Sequence, residues 1–410
     1  MATTVAEVLR HFGPALLARW HAQGRDLTPG QAQAWAAITR CRTPALGGQL
    51  LRCDDCGAEQ WRWHSCRNRH CPQCQTRQRE AWRRARGGEL LNVPYCHLVF
   101  TLPHELNPLA AVHPRWVYDT LLDTVAGTLT SFAADVRWLG GIPAFTLVLH
   151  TWSQDLRRHL HVHALMACGA LARDAQGQPV WQSPRRSPTF LFPVRALSLV
   201  WRARFIDALQ QADAAGRLRD RQGTPMALPL HALRSKPWVV YAKTALAGPA
   251  AVLDYLSRYT HRTAIGNERL LGIHGNAVHF RTRVNRKHGQ ADPEGSGPRS
   301  RITTLDGAEF IERLLQHVVP HGFKRIRHYG LLAPAAKAQR LASARALLGM
   351  PRANPAVAED VAQFMRRVAA IEIGTCTHCG QGRWRAVACR APTRLPSMIG
   401  CAPTARGPPP

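Results

Sequence analysis

The chain has 410 residues, 45% of them hydrophobic, and a formal charge of +28 at neutral pH. That length and apolar share exclude wholesale disorder and allow two or three domains. The excess of base over acid points to a long polyanion as partner. Nearly all of it is arginine, whose planar fork matches phosphate; lysine is confined to Lys236, Lys243, Lys287, Lys324 and Lys337.

Residues 1–10 carry Glu7 and Arg10 and no apolar run of the kind a secretory leader needs, and no window reaches the length of a membrane span. A cytoplasmic protein without a membrane partner is expected. In that compartment its twelve cysteines stay reduced and serve metal better than disulfides.

Two helices open the chain, over 5–21 and 29–40, the second capped by Thr28 with Pro29 in its first turn. A cysteine cluster follows: Cys53-Asp54-Asp55-Cys56-Gly57, then Cys66, His70 and Cys71-Pro72-Gln73-Cys74. Two Cys-x-x-Cys knuckles supply the four thiolates of a structural Zn²⁺ site, so Cys53, Cys56, Cys71 and Cys74 are the expected ligands. Cys66 or His70 could replace one of them, and Cys41 reads as a buried thiol. Between the knuckles, Trp61-Arg62-Trp63 and Arg67-Asn68-Arg69 interleave rings and cations, a surface able to stack bases and neutralise phosphates or simply to pack the ribbon. A basic helix over 75–88 leaves it.

From residue 93 the texture turns to strands, with a first β-run over 94–103, a long helix over 115–138 and a strand over 145–150. Arg157-Arg158-His159-Leu160-His161-Val162-His163-Ala164 then alternates strictly. A strand puts His159, His161 and His163 on one face and Leu160, Val162 and Ala164 on the other. On a helix successive histidines would lie about 200° apart and could not converge. This face is a candidate metal site, with His150 across the turn as a further ligand. Helices are expected over 193–217, then a β-run over 238–241. In 252–262, Tyr255 and Tyr259 stand one helical turn apart beside Arg258, His261 and Arg262, whose charge would favour a nucleophilic phenolate. The polar, Gly- and Pro-bearing stretch 285–300 reads as a loop; 306–318 and 334–349 look helical. Cys376-Thr377-His378-Cys379-Gly380 is half a zinc knuckle with only Cys389 and Cys401 nearby in sequence.

On Cys66 to Pro72, His161-Val162-His163, Lys236 to Lys243, Tyr255 to Asn267 and Gly322 to Gly330, the chain resembles the rolling-circle transposases of the insertion-sequence-ninety-one family. That family belongs to the HUH endonucleases, and the resemblance spans roughly residues 35–335 and includes the N-terminal zinc-binding domain. It implies that His161 and His163, with His159 or His150 as a third ligand, hold Mg²⁺ or Mn²⁺ on a scissile phosphate. Tyr255 or Tyr259 would then attack that phosphorus to form a 5′-phosphotyrosine. Arg67, Arg69, Lys236, Lys243, Arg258 and Arg262 are the expected contacts to single-stranded DNA at transposon ends and target, in a bacterial, DNA-associated protein. The alternatives are a replication initiator or relaxase with the same chemistry, a non-catalytic zinc-ribbon DNA binder, or a hydrolase with His-x-His on an early barrel strand.

The expected fold class is α+β, an antiparallel sheet flanked by helices behind N-terminal helices and a zinc ribbon. The expected domains are an N-terminal helical segment (1–40), the ribbon (41–88), the catalytic domain (89–285), a C-terminal helical extension (286–370) and a disordered Cys-, Pro- and Arg-rich tail (371–410).

Overall fold

The structure is a computed structural model that describes residues 3–188, 190–246, 251–252, 263–283, 300–352 and 359–393. Two compact units result, one formed by residues 1–35 and 69–358, the other by 36–68 and 359–410. Among the described residues no helix is long and apolar enough to cross a membrane.

Helix α1 (Val5–Ala22) starts from a capping box in which Glu7 N donates to Thr4 Oγ1 and Thr4 N to the Glu7 carboxylate. Helix α2 (Pro29–Arg40) starts at Thr28, whose hydroxyl accepts from Gln31 N at 3.3 Å, as the sequence predicts. Strands β1 (Gly48–Cys53) and β2 (Glu59–Trp63) form a hairpin, and α3 (Gln75–Gly87) follows Cys74. Then come β3 (Tyr95–Thr101), α4 (Asn107–Val112), α5 (Pro114–Ala134), β4 (Ile142–Trp152), β5 (Arg158–Arg173), β6 (Pro179–Gln182), α6 (Val194–Ala214), α7 (Leu230–Ser235) and β7 (Val239–Leu246). The remainder comprises β8 (Leu270–His274), β9 (Ala277–Arg283), β10 (Ser300–Asp306), α8 (Gly307–Leu315), β11 (Ile326–Gly330), α9 (Lys337–Leu347), α10 (Val361–Ala369) and β12 (Trp384–Arg390).

In the larger unit an antiparallel sheet runs β11-β4-β5-β3-β7, with β6 added beside β5. One face is apolar because the strands alternate. Leu98, Phe100, Leu147, Leu149, Leu160, Val162 and Ala164 pack on Val117, Leu121, Leu122 and Val125 of α5 and on Leu197, Trp201 and Phe205 of α6. Trp201 satisfies its buried indole N–H on Thr124 Oγ1 at 3.2 Å. The opposite face splits. Ala144, Leu165 and Ala167 lie under a second cluster with Leu90, Leu91, Leu331 and Leu341, while the end beyond them carries histidines. A separate sheet β10-β9-β8 packs Phe280 edge-to-face on Phe310 of α8.

The smaller unit is built on the sheet β12-β1-β2. Residues from 371 were expected to be disordered; instead β12 pairs antiparallel with β1, Gly48 opposite Arg390 and Cys53 opposite Trp384. The segment expected as a helical extension likewise contributes β11 to the central sheet of the larger unit. Both departures have one cause: short strands draw their stability from distant partners and carry little periodic signal of their own.

Leu121 is fully buried between sheet and helices, whereas Leu199 on α6 is 49% exposed. Leu121→Ala should lower the unfolding free energy by about 2–5 kcal/mol and Leu199→Ala by well under ~1 kcal/mol, both read from urea titrations. Two further groups make stability depend on pH. Burial and nearby Arg158 hold His317 down to about 4 although the Leu156 carbonyl accepts from its ring; burial and Arg86 hold His328 down to about 4. Unfolded histidine titrates near 6.5, so as pH falls from there towards 4 the unfolded chain takes up protons that the folded chain refuses. Stability should be full above pH 6.5 and decline below it, and His317→Gln should reduce that slope by about 1 kcal/mol per pH unit.

Candidate functional site

Strand β5 lies between β3 and β4. With Leu160, Val162 and Ala164 committed to the core, pleating sends His159, His161 and His163 to the other face. The register sets their neighbours: His161 lies opposite His150 of β4 and Thr101 of β3, and His163 opposite Val148 and Val99. Directly opposed residues of antiparallel strands bring Cβ atoms to about 4.5–5.5 Å, close enough for imidazoles to meet. The nitrogens of His150, His161 and His163 available to a metal all lie within 4.8 Å of one another. Ring centroids are 4.5 Å apart for His150 and His163 and 4.9 Å for His161 and His163. His150 is buried and the other two are half-buried, so the group has a desolvated side and an open side.

Ring orientation is fixed by hydrogen bonds. His161 Nδ1–H donates to the carbonyl of His159 at 2.9 Å, which leaves Nε2 unprotonated as a donor to metal. His163 Nδ1 lies 2.9 Å from Nε2 of His97, a buried residue of β3. Burial, with Lys243 beside it, holds His97 down to about 4, so it is neutral at pH 7. In the tautomer where His163 donates and His97 accepts, the Nε2 of His163 is also free for metal. Three imidazoles with a solvent-facing side are a donor set a divalent transition ion fits.

The sequence placed His159 among the ligands. In the structure it shares the face, its ring centroid 4.9 Å from that of His161 and 5.4 Å from that of His104, but the group whose nitrogens converge is completed by the directly opposed His150 instead. The sequence did not single out His97. Its signal was parity, since Tyr95–Thr101 alternates and His97 falls on the same face as Val99 and Thr101.

The expected DNA contacts fall into different situations. Lys243 is exposed on β7 opposite His97, at the border of the histidine face. Lys236 forms an ion pair with Glu105, which it holds below the usual carboxylate range. Arg69 is half-buried and donates to the carbonyl of Phe323 at 2.8 Å, so its guanidinium supports the fold of the larger unit. Arg67 is exposed in the smaller unit with a left-handed backbone, φ 53°. There Trp61 and Trp63 stack in parallel, centroids 4.7 Å apart, with Trp61 40% exposed. Tyr255, Tyr259, Arg258 and Arg262 lie outside the described residues.

The cysteines depart from the expected pairing of knuckles. Cys53 and Cys56 group with Cys376 and Cys379, all in the smaller unit. Cys71 and Cys74 belong to the larger unit, where the Cys74 amide donates to the Cys71 carbonyl ahead of α3. In the smaller unit the Cys66 amide donates to Cys41 Sγ at 3.5 Å. The β1–β12 pairing, which ends with Cys53 opposite Trp384, is what brings Cys376 and Cys379 to the first knuckle.

Residues 144–340 match a family model described as "Putative transposase", and residues 8–102 match one described as "Transposase zinc-binding domain". The Sinorhizobium fredii protein "Putative transposase y4qJ" is 38% identical over 389 residues, covering 92% of this chain and 93% of its own length. The "Transposase for insertion sequence element IS801" of Pseudomonas savastanoi pv. phaseolicola is 26% identical over 353 residues, covering 83% of this chain and 79% of its own. A solved structure, TrwC complexed with a 27-mer DNA, is similar over 28% of this chain and 44% of that one, at 18% identity and a TM-score of 0.20, which carries no argument for fold or site. The matched domains and the coverage of both transposases place this chain in the insertion-sequence-ninety-one family of transposases, with the zinc-binding domain of that family at its N-terminal end.

Proposed function

We propose that this transposase nicks and rejoins single-stranded DNA at transposon ends through a covalent tyrosine–DNA intermediate. The observation that carries the reading is the convergence of His150, His161 and His163 on one sheet face with Lys243 at its border. His161 and His163 would hold a divalent ion together with His150, and such an ion supplies Lewis acidity to a non-bridging phosphate oxygen. Three imidazoles suit Mn²⁺ better than Mg²⁺, which prefers oxygen donors. Lys243 would meet the DNA backbone as a point charge.

Tyr255 and Tyr259 are the nucleophile candidates, and the support for them is their i, i+4 spacing within a basic stretch. The phenolic oxygen of one attacks phosphorus in line, the bond to the 3′ oxygen breaks, and that oxygen leaves as a 3′-hydroxyl after taking up a proton. The 5′-phosphotyrosine conserves the phosphodiester, so rejoining to another 3′-hydroxyl needs no nucleotide cofactor. A second tyrosine allows a second cut while the first end is held. A replication initiator or relaxase would use the same steps; the transposase family of this chain favours transposon ends as substrate.

Full-length protein incubated with labelled single strands from its element's ends and Mn²⁺ should give a protease-sensitive shifted band. The band should vanish in the double variant Tyr255→Phe, Tyr259→Phe, and its persistence there would refute the nucleophile assignment. His150→Ala and the pair His161→Ala, His163→Ala should each cut adduct yield and Mn²⁺ binding by at least ~100-fold, with His159→Ala close to wild type. His97→Ala, which removes the partner of a ligand and leaves the ligands in place, should weaken Mn²⁺ by about 10–100-fold in a calorimetric titration.

A further inference from the structure

The smaller unit holds four cysteines whose placement the transposon chemistry does not use. We propose that Cys53, Cys56, Cys376 and Cys379 form a closed tetrathiolate Zn²⁺ site that ties the β1–β2 hairpin to the segment around β12. The zinc-binding family model ends at residue 102, so it assigns no role to Cys376 or Cys379.

The geometry is that of an ion cage. The Cys53 and Cys379 sulfurs are 3.8 Å apart, the Cys56 and Cys376 sulfurs 3.8 Å, and all four lie within 4.8 Å of one another. A tetrahedron with Zn–S bonds of about 2.3 Å has edges of about 3.8 Å, whereas a disulfide would need about 2.05 Å. The two knuckles also repeat one another. Each reads Cys-x-x-Cys-Gly, and the glycines after the second cysteine, Gly57 and Gly380, take left-handed φ values of 71° and 75° that turn the chain away.

Backbone N–H groups point at the sulfurs: Asp55 N donates to Cys53 Sγ at 3.5 Å, His378 N to Cys376 Sγ at 3.3 Å and Gly382 N to Cys379 Sγ at 3.3 Å. Such donors offset the charge that four thiolates bring to one ion. At residue 382 only glycine fits, since a Cβ there would stand 2.4 Å from Cys53 Sγ. The two knuckles are also stitched outside the sulfurs. Asp54 N donates to the Arg383 carbonyl at 3.1 Å, Arg383 N to Asp54 Oδ1 at 2.6 Å and the Arg385 guanidinium to Asp54 Oδ2 at 3.3 Å. Four protein ligands leave no open position, so the ion holds structure and does not act on substrate.

The test uses the full chain without DNA, which separates its outcome from that of the nicking reading. Zinc is counted by mass spectrometry of the metal, and Co²⁺ is then exchanged in. Cys376→Ser with Cys379→Ser should lose one equivalent of zinc relative to wild type, together with part of the sulfur-to-cobalt charge-transfer and tetrahedral visible absorption. Cys389→Ser should lose neither. Cys379→His, which keeps four ligands, should retain the zinc and shift the cobalt spectrum, guarding against a fold that simply collapses. Limited proteolysis should release the segment after residue 359 from chelated wild type and leave it protected in the zinc form. Unchanged zinc content and cobalt spectrum in the double serine variant would overturn the site.

Discussion

The register between β4 and β5 is the constraint on which the candidate site depends. Side chains alternate with a period of two, so a slip of one residue would turn His150 to the core and Leu149 to the face that should bind metal. Apolar burial prevents it. Leu147, Leu149, Leu160 and Val162 are each essentially inaccessible to solvent, and burying one such side chain is worth about 1.5–3 kcal/mol, so exposing all four would cost about as much as the whole stability of an ordinary domain. The far edge of β4 is held as well. Tyr329 of β11 stacks on Phe145 with centroids 5.1 Å apart, and Gly330 approaches the Pro143 carbonyl so closely that no Cβ could be accommodated. The core that stabilises the sheet is thus also what aims the histidines.

Electrostatics in the larger unit serve the same end. The chain has 54 lysines and arginines against 26 acidic residues, too few carboxylates to pair the cations. Some of them tie elements together: Arg327 reaches Asp119 and Asp123 of α5, and Lys337 reaches Glu89 at 2.7 Å. Near the histidine face, burial and a nearby cation keep His97 unprotonated. Neutral, His97 can accept the Nδ1–H of His163 and so orient that ring. A basic surface that would repel a bare cation becomes favourable once phosphate accompanies the ion.

What could be read from the sequence was what is local. The alternation of Arg158 to Ala164, the cap at Thr28, a helix within 193–217 and the antiparallel α+β class all rest on spacing within a few residues, and they appear in the structure where spacing puts them. His150 was in view because a short turn joins β4 to β5. His97 was not, because its partner arrives through a strand pairing 66 residues distant. The cysteine error has the same origin. Cys71 and Cys74 were the nearest knuckle in sequence, and nothing local to Cys53 or Cys56 reports that β12 will pair with β1. Arg69 illustrates the reverse case: a residue type that reads as a nucleic-acid contact is turned into the fold by a carbonyl acceptor at Phe323.

The pairing of β1 with β12 also has a consequence for biosynthesis. β1 is the central strand of its sheet, yet one of its two neighbours, β12, is encoded only after the whole of residues 69–358. At translation rates of about 5–20 residues per second, its second edge stays unpaired for some tens of seconds while residues 69–358 emerge from the ribosome. The first ribbon strands to be made are therefore among the last to be completed. A nascent or prematurely terminated chain would display an open strand edge and two unmatched thiols, the features that chaperones and proteases act on. Only a chain translated through β12 can hide them, so completion of this small sheet reports that residues 69–358 have been made.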